Sequence, residues 1–314
     1  TLTLGAETQT GAAAIDTTED TIYIVGNRIG TLEVRTDNSF TIADNQNITT
    51  IGSNVTLQVD ETGGGIVINT DSLANGITTV DANVTVLGES TARTVGLGTT
   101  DNDIDISGAE LLQITADNFI IGDATDTNAE VEVEGITAAQ SQNIGTVQIN
   151  ANTADAQVKF ETTASTFNAL TANADAGIEV DVALTVDTGN LTLDADSDNA
   201  ADTGANTLSL DANITSTGTG NIILEGTTGG IDIETAGTNP IVNSSAGNGN
   251  ITVNGTLAIG TDTVILNAGS GVVTTDAVTG TGTLDVRAGG VNIDGTVAPT
   301  SVSYTHLRAH ETRP

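Results

Sequence analysis

The sequence predicts an all-β chain wound as a right-handed parallel β-solenoid (β-helix) with about 20 residues per coil. Three observations favour this fold class: apolar and polar residues alternate in short runs, strand centres recur about every twenty residues, and the composition suits a narrow aliphatic core. The chain has 314 residues, with 36 Gly, 3 Pro, no Trp, Cys or Met, and 2% aromatic residues. A core built on large aromatic side chains is therefore excluded, and Val, Ile and Leu must supply the buried surface.

The alternating runs are the first signal, because successive side chains of a β-strand point to opposite faces. Gly, Asn, Asp and Thr separate the runs, as turn residues do. Representative predicted strands are Thr21–Val25, Val55–Val59, Ile104–Ile106, Val182–Val186 and Leu284–Val286. Residues 137–141 and 164–172 hint at helix, but both segments are brief and poorly amphipathic, so we expect loops or single turns.

The spacing of strand centres is the second signal. In the second half of the chain, two interleaved series each advance by about twenty residues, the length of one solenoid coil. The first series is Leu191, Leu210, Ile231, Ile251, Val272 and Val291, and the second is Ile222, Ile241, Val264 and Leu284. Equivalent aliphatic residues of successive coils would then stack as continuous inward ladders.

Corners are predicted where Gly and Asn precede a strand, since both residues tolerate the left-handed backbone of a tight corner. The phrase Gly-Asn-aliphatic recurs at Gly189, Gly220 and Gly249. Corner Asn followed by a Thr-rich strand also creates Asn-x-Thr sequons automatically. We therefore interpret the sequons as a by-product of the repeat and not as glycosylation sites; they begin at Asn47, Asn54, Asn83, Asn190, Asn213, Asn250 and Asn254.

Tandem antiparallel β-sandwich domains are the alternative architecture, because they too contain short, regularly spaced strands. Such domains usually carry a core Trp or Tyr and linkers marked by Pro. Tyr23 is the only Tyr before residue 302, and Pro240 and Pro299 are the only Pro residues before the last position. This composition favours the solenoid.

The repeated phrases GNLTL, GNIIL and GNITV at 189–193, 220–224 and 249–253 resemble the β-solenoid passengers of bacterial autotransporters and filamentous-haemagglutinin-type exoproteins. The phrases GTLAI at 255–259 and GGVNI at 289–293 belong to the same style, and the resemblance is strongest over 180–297. It implies export by dedicated machinery, an extracellular or outer-cell-surface location, and a role as adhesin or structural stalk. The expected partners are glycans or proteins of a host, a neighbouring cell or a matrix.

Residues 1–301 are interpreted as one solenoid repeat region, a fragment truncated at both ends. Residues 302–314 differ sharply in composition, since they contain both His residues of the chain, His306 and His310. The segment VSYTHLRAHET at 302–312 resembles a sequencing-library adapter translated in frame. We therefore expect 302–314 to be a non-native tail.

Charge limits the function classes. The chain carries 41 Asp and Glu against 7 Lys and Arg, a formal net charge of −34. Nucleic acids and anionic membrane surfaces would be repelled by such a chain, so neither is an expected partner. No apolar run is long enough for a membrane-spanning helix, and membrane insertion of this fragment is not expected.

Catalysis is not expected in this fragment. Outside the predicted tail there is no His and no Cys, so the most common general base and the thiol nucleophile are missing. Paired carboxylates are frequent in so acidic a chain, which makes their adjacency uninformative. A non-catalytic part of a β-helix polysaccharide-active enzyme stays open as an alternative.

One acidic loop is a candidate metal site. Asp194, Asp196, Asp198 and Asp202 occupy alternate positions and then the ninth position of a loop, a spacing that can wrap oxygen ligands around Ca²⁺. Asn199 stands where a turn Gly is usual, and Ala205 stands where a bidentate Glu is usual. A solvated acidic loop is the alternative interpretation. No cofactor is required by the sequence, and Ca²⁺ is the one candidate.

Overall fold

The protein is a parallel β-solenoid. The structure, a computed structural model, describes residues 13–17, 22–23, 32–36, 40–42, 47–59, 64–68, 76–88, 93–98, 102–123, 128–200 and 206–306. The chain divides into two compact units, Thr1–Val158 and Lys159–Pro314. No helix among these residues is long and apolar enough to cross a membrane.

The described residues of the first unit form short strands and two single-turn helices. The strands are β1 (Ala13–Thr17), β2 (Ile22–Tyr23), β3 (Leu32–Thr36), β4 (Phe40–Ile42), β5 (Asn47–Ile51), β6 (Val55–Val59), β7 (Gly64–Ile68), β8 (Gly76–Val80), β9 (Asn83–Gly88), β10 (Arg93–Leu97), β11 (Ile104–Ile106), β12 (Ile114–Ile121), β13 (Asn128–Val133) and β14 (Ile144–Ala151). The helices are α1 (Gly108–Leu111) and α2 (Ala138–Ser141). Strand β15 (Gln157–Phe160) spans the division between the units.

Two parallel sheets organise the first unit. One contains β1, β3, β6, β9, β12 and β14 in that order, with β5 and β8 beside it, and the other follows the order β2, β4, β7, β11, β10 and β13. In the first of these sheets, Leu32, Val55, Val84, Phe119 and Val147 are register partners from one coil to the next. All five are almost completely buried, so they form one of the predicted inward ladders.

The described residues of the second unit form eighteen further strands. They are β16 (Ser165–Phe167), β17 (Leu170–Ala174), β18 (Ile178–Val180), β19 (Leu184–Val186), β20 (Leu191–Asp194), β21 (Leu208–Leu210), β22 (Ile214–Ser216), β23 (Ile222–Glu225), β24 (Ile231–Asp232), β25 (Ile241–Asn243), β26 (Ile251–Asn254), β27 (Leu257–Ala258), β28 (Thr263–Asn267), β29 (Val272–Thr275), β30 (Val278–Thr279), β31 (Thr283–Ala288), β32 (Gly290–Ile293) and β33 (Ser301–His306). The chain visits three faces in turn. The faces are β17-β20-β23-β26-β29-β32, β18-β21-β24-β27-β30 and β16-β19-β22-β25-β28-β31-β33.

Each face of the second unit contributes an aliphatic ladder to a common interior. The three ladders are Leu170-Leu191-Ile222-Ile251-Val273, Ile178-Leu208-Ile231-Leu257-Val278 and Leu184-Ile214-Val242-Leu266-Val286. Their side chains are at most 1% exposed. Burying a Val, Leu or Ile contributes about 1.5–3 kcal/mol, so stacking these residues is the main stabilising term of the fold.

The core is not purely aliphatic. The four Phe residues of the chain, Phe40, Phe119, Phe160 and Phe167, are all completely buried. Phe119 is the partner of Val84 on one side and of Val147 on the other, so an aromatic ring takes one place in the ladder of the first unit. The interior of the first unit therefore admits an aromatic ring at a ladder position.

The coil is longer and less regular than twenty residues. In the second unit the partners Leu170, Leu191, Ile222, Ile251, Val273 and Val291 are 21, 31, 29, 22 and 18 residues apart. In the first unit the spacing reaches 35 residues between Val84 and Phe119, where β10, β11 and α1 are inserted. Loops between coils can lengthen without disturbing the ladders, because closing a longer loop costs little additional entropy.

The predicted single turn at 137–141 is confirmed as α2, whose Thr137 and Gln140 form a capping box. Helix α1 has the same arrangement with Ser107 and Glu110 but was not predicted. The helical hint at 164–172 was wrong, because Ser165–Phe167 and Leu170–Ala174 are strands. In both strands, buried and half-buried residues alternate, as the two faces of a β-strand require.

The sandwich alternative is excluded for the described residues, because the strand pairs within each unit are parallel. Residues 302–306 of the expected tail lie in β33, which pairs with β31 and places Val302 opposite Leu284. Residues 307–314 lie outside the described part of the chain. The non-native origin of 302–314 stays a prediction, since any segment with alternating apolar residues can extend a sheet edge.

Candidate functional site

The acidic loop after β20 lies in the second unit. Strand β20 alternates buried and half-buried positions through Leu191–Asp194, and the buried Ala195 then turns the chain. The backbone N–H of Ser197 donates to the carbonyl oxygen of Ala174 at 2.9 Å, which ties the loop to the coil before it. Asn199 has a φ of 56°, a left-handed conformation that Asn tolerates better than most residues.

Two of the predicted ligands hold the loop in shape. A carboxylate oxygen of Asp194 accepts from the backbone N–H of Asp196 at 3.2 Å, and one of Asp198 accepts from that of Ala200 at 2.8 Å. These are Asx turns, in which an Asp side chain binds the backbone two residues later. Asp residues at alternate positions, which predicted metal ligands, therefore also stabilise the turns of this loop.

The alternate spacing separates the carboxylates. Asp198 is exposed, whereas Asp196 is turned inward and is 1% exposed. One oxygen of Asp196, Oδ1, lies 3.4 Å from the side-chain amide nitrogen of Asn206, and the other, Oδ2, has no hydrogen-bond partner. Asp202 lies outside the described residues. Among the residues that are described, no group of three or more His, Cys, Asp or Glu side chains could hold a metal ion. The four-residue Ca²⁺ site therefore stays a prediction.

The pKa of Asp194 is raised in this loop. Burial raises the pKa of Asp194 above the ordinary aspartate value of 3.8, while the hydrogen bond from the backbone of Asp196 opposes that shift. Repulsion from Glu225 and Asp196 raises the pKa of Asp194 further. Glu225 is the register partner of Asp194 in the next coil, so the stacking itself brings the two carboxylates together.

A second acidic group lies on the outer face of the second unit. Asp181 and Asp211 directly follow the paired strands β18 and β21, and the backbone N–H of Thr235 donates to both carboxylate oxygens of Asp211 at 3.0 and 3.2 Å. Partial burial, and then repulsion from Asp211, Glu179, Asp232 and Asp181, raises the pKa of Glu234 above 4.5. Like charges therefore accumulate where coils stack.

A groove of about 360 Å³ lies on the outer face of the first unit. It crosses β6, β9, β12 and β14, with the side chains of Leu87 and Ile120 as its apolar part. The other lining residues are Thr56, Thr85, Gly122, Asp123, Gln148, Asn150 and Asn152. Asn150 donates to the carbonyl oxygen of Gly122 at 2.9 Å and accepts from Gln148 at 3.2 Å, so these amides are held in fixed orientations. Among the described lining residues, Asp123 alone has an ionisable side chain.

Asn residues at the corners, several of which begin sequons, have a structural role. The side-chain oxygen of Asn190 accepts from the backbone N–H of Asn221 at 2.9 Å, and that of Asn221 accepts from Asn250 at 2.8 Å. Asn250 in turn accepts from the backbone N–H of Val272 at 2.9 Å. We call Asn190, Asn221 and Asn250 the asparagine ladder. In the first unit, Asn54 accepts from the backbone N–H of Asn83 in the same way.

Glycines stack beside the asparagine ladder. A Cβ atom at Gly220 would fall on the carbonyl oxygen of Gly189, and one at Gly249 would fall on that of Gly220. The repeated Gly-Asn phrase therefore reflects two requirements of one corner, namely close backbone approach and a side-chain acceptor for the next coil. The sequence identified the corners but not this hydrogen-bond ladder.

Comparisons with known proteins leave the family undecided, because no family model, curated protein or solved structure matches this chain. The parallel solenoid and its corner ladders are accordingly the basis for any statement about function.

Proposed function

We propose that this chain is a non-catalytic structural shaft of a large bacterial protein that is exported to the cell surface or the medium. The observation that carries the proposal is the stacking of register-matched aliphatic ladders within each unit, with each coil contacting its neighbours. Such a fold adds length by adding coils, and its stability is a sum of local terms. The resemblance of the Gly-Asn phrases to exported solenoid passengers supports the location.

The chemistry of the described surface also supports a non-catalytic role. Among the described residues that line the groove of the first unit, Asp123 alone has an ionisable side chain. General acid–base catalysis needs two groups with matched pKa values on opposite sides of a substrate bond. A non-catalytic part of a polysaccharide-active enzyme is the competing proposal.

Deletion of a whole coil tests the shaft. Removing residues 191–221 joins Asn190 to Ile222, the register partner of Leu191, so both the fold and surface display should survive. The matched control removes residues 191–207 and joins Asn190 to Leu208, which starts a strand of another face. With the full chain fused to an outer-membrane anchor, antibody staining of intact cells should stay within about twofold for the first deletion and fall at least fivefold for the control.

Two results would contradict the shaft. One is equal loss of display for both deletions, which would mean that coils are not interchangeable units. The other is release of oligosaccharides from a polysaccharide by the purified parent chain, which would revive the enzyme.

Adhesion is a second candidate role, favoured by the groove of the first unit. We infer that its ligand is a neutral glycan, because the described lining combines Leu87 and Ile120 with hydroxyl and amide groups and includes no basic residue. Sugar rings present apolar faces and many hydroxyls, which such a lining can match. Sulfated or sialylated glycans would be repelled by a net charge of −34.

A glycan array probed with the full chain tests this role. We expect binding to neutral glycans in preference to acidic ones, and about tenfold weaker binding for Gln148→Leu, which removes an amide but keeps the volume. Thr192→Val, on an outward position of β20 in the second unit, is the matched control and should bind like the parent. Equal binding by parent and Gln148→Leu, or a preference for acidic glycans, would reject the groove as the glycan site.

A further inference from the structure

Asp196 is a buried carboxylate that lacks the partners such a group normally has. It is 1% exposed, its Oδ2 has no hydrogen-bond partner, and its Oδ1 has one long contact of 3.4 Å with the amide of Asn206. Asp262, which is 4% exposed, differs because its carboxylate accepts a short hydrogen bond from the backbone N–H of Gly237. A buried carboxylate in this fold can therefore have a close hydrogen-bond donor, and Asp196 differs in lacking one.

An ionised carboxylate in this position is energetically unfavourable. Removing such a group from water costs several kcal/mol unless hydrogen bonds or an opposite charge compensate. Among the residues that the structure describes, no basic side chain forms an ion pair with Asp196; the pairs Arg93–Asp103 and Arg287–Asp285 involve other strands. A bound cation would compensate the negative charge of Asp196, for which the described residues provide no basic partner.

The surroundings of Asp196 offer oxygen atoms. Asp194 lies beside Asp196, because a carboxylate oxygen of Asp194 accepts from the backbone N–H of Asp196 at 3.2 Å, and Glu225, the register partner of Asp194, brings a further carboxylate from the next coil. The amide of Asn206 also donates to the carbonyl oxygen of Ala200. Hard oxygen ligands of this kind, with two carboxylates and the rest neutral, suit Ca²⁺, which accepts six to eight oxygens in flexible geometry.

We propose that Asp196 and Asp194 bind one Ca²⁺ beneath the loop 194–200, with backbone carbonyl oxygens and water completing its coordination. This proposal keeps two of the four residues read from the sequence, because Asp198 is exposed whereas Asp194 is half-buried, and Asp202 lies outside the described residues. Two carboxylates and an irregular loop are characteristic of weak extracellular sites, with dissociation constants of about 10⁻⁴–10⁻³ M. The site would lock one corner of the second unit in calcium-containing medium.

Calcium titration of the full chain and of Asp196→Asn tests the proposal. Isothermal titration calorimetry with CaCl₂ at fixed ionic strength should show one more bound ion for the parent than for Asp196→Asn. The melting temperature of the parent, followed by circular dichroism, should rise from EDTA to millimolar CaCl₂ by more than it does in Asp196→Asn. The variant should also be more stable than the parent in EDTA, because it removes an uncompensated buried charge.

Two further variants keep the test decisive. Asp198→Asn is the matched control from the same loop and should bind calcium like the parent. Asp194→Asn retains an acceptor for the backbone of Asp196 and should weaken the site at least about tenfold, which gives a readout should Asp196→Asn fail to fold. Identical calcium binding by the parent, Asp196→Asn and Asp194→Asn would overturn the proposal, as would the absence of calcium binding by the parent.

Discussion

At the scale of single residues, the corners depend on Asn and Gly for different reasons. Asn221 both donates its backbone N–H to Asn190 and accepts from the backbone of Asn250, so it connects three coils. Gly220 lets the backbones of neighbouring coils approach more closely than any Cβ would allow. The asparagine ladder therefore transmits coil register through backbone N–H groups that the strand ladders leave unpaired.

Truncation of the asparagine ladder should destabilise the second unit. In Asn221→Ala the backbone N–H of Asn250 loses its acceptor, and we expect the free energy of unfolding to fall by about 1 kcal/mol, the value of one partly exposed hydrogen bond. Urea unfolding followed by circular dichroism measures the loss. Thr219→Ala, at an exposed position two residues earlier, is the control and should stay within about 0.5 kcal/mol of the parent. A loss as large in the control would show that the ladder bond contributes nothing specific.

At the scale of elements, the sequence predicted where strands lie better than it predicted which strands pair with each other. Val55–Val59 and Ile104–Ile106 are strands as expected. The series of strand centres was wrong, however, because it placed Leu210 and Ile231 in one stack with Leu191 and Ile251. Leu210 pairs with Val180 and Ile231 with Leu208 on one face, whereas Leu191 leads to Ile222 and Ile251 on another.

The error has a physical cause. Alternation reports that a segment is a strand but not which of three faces it joins, and coils of 18 to 31 residues in the second unit do not keep a fixed period. The Gly-Asn phrase was the better register signal, since it marks the same corner before β20, β23 and β26. Likewise, the acidic spacing after β20 was visible in the sequence, but the inward turn of Asp196 was not, because it depends on the packing of Ala195 and Asn206.

At the scale of the whole molecule, composition anticipated the interior and the charge. A chain with four Phe and no Trp can fill only a narrow core, and the ladders of both units are narrow. The net charge of −34 acquires a structural meaning in the second unit, where Asp181, Asp211 and Glu234 gather on successive coils. Because coils stack, carboxylates at neighbouring outer positions of successive coils lie close together. We call Asp181, Asp211 and Glu234 the acidic column.

This column should make stability depend on salt. Neighbouring coils are about 4.8 Å apart, less than the Debye length of about 10 Å at 0.1 M salt, so repulsion between them is only partly screened at that concentration. We expect the melting temperature of the parent to keep rising as NaCl increases towards 1 M, where the Debye length is about 3 Å.

The triple variant Asp181→Asn, Asp211→Asn and Glu234→Gln should melt higher than the parent at low salt and show a smaller rise with NaCl. The parent and the variant keep Asp194 and Asp196, so measurement in EDTA separates this screening from calcium binding. Equal slopes of melting temperature against salt would mean that the column does not limit stability and that the charge acts only through solubility. A reduced slope would identify the stacked carboxylates as the reason why such a chain is most stable in a saline medium.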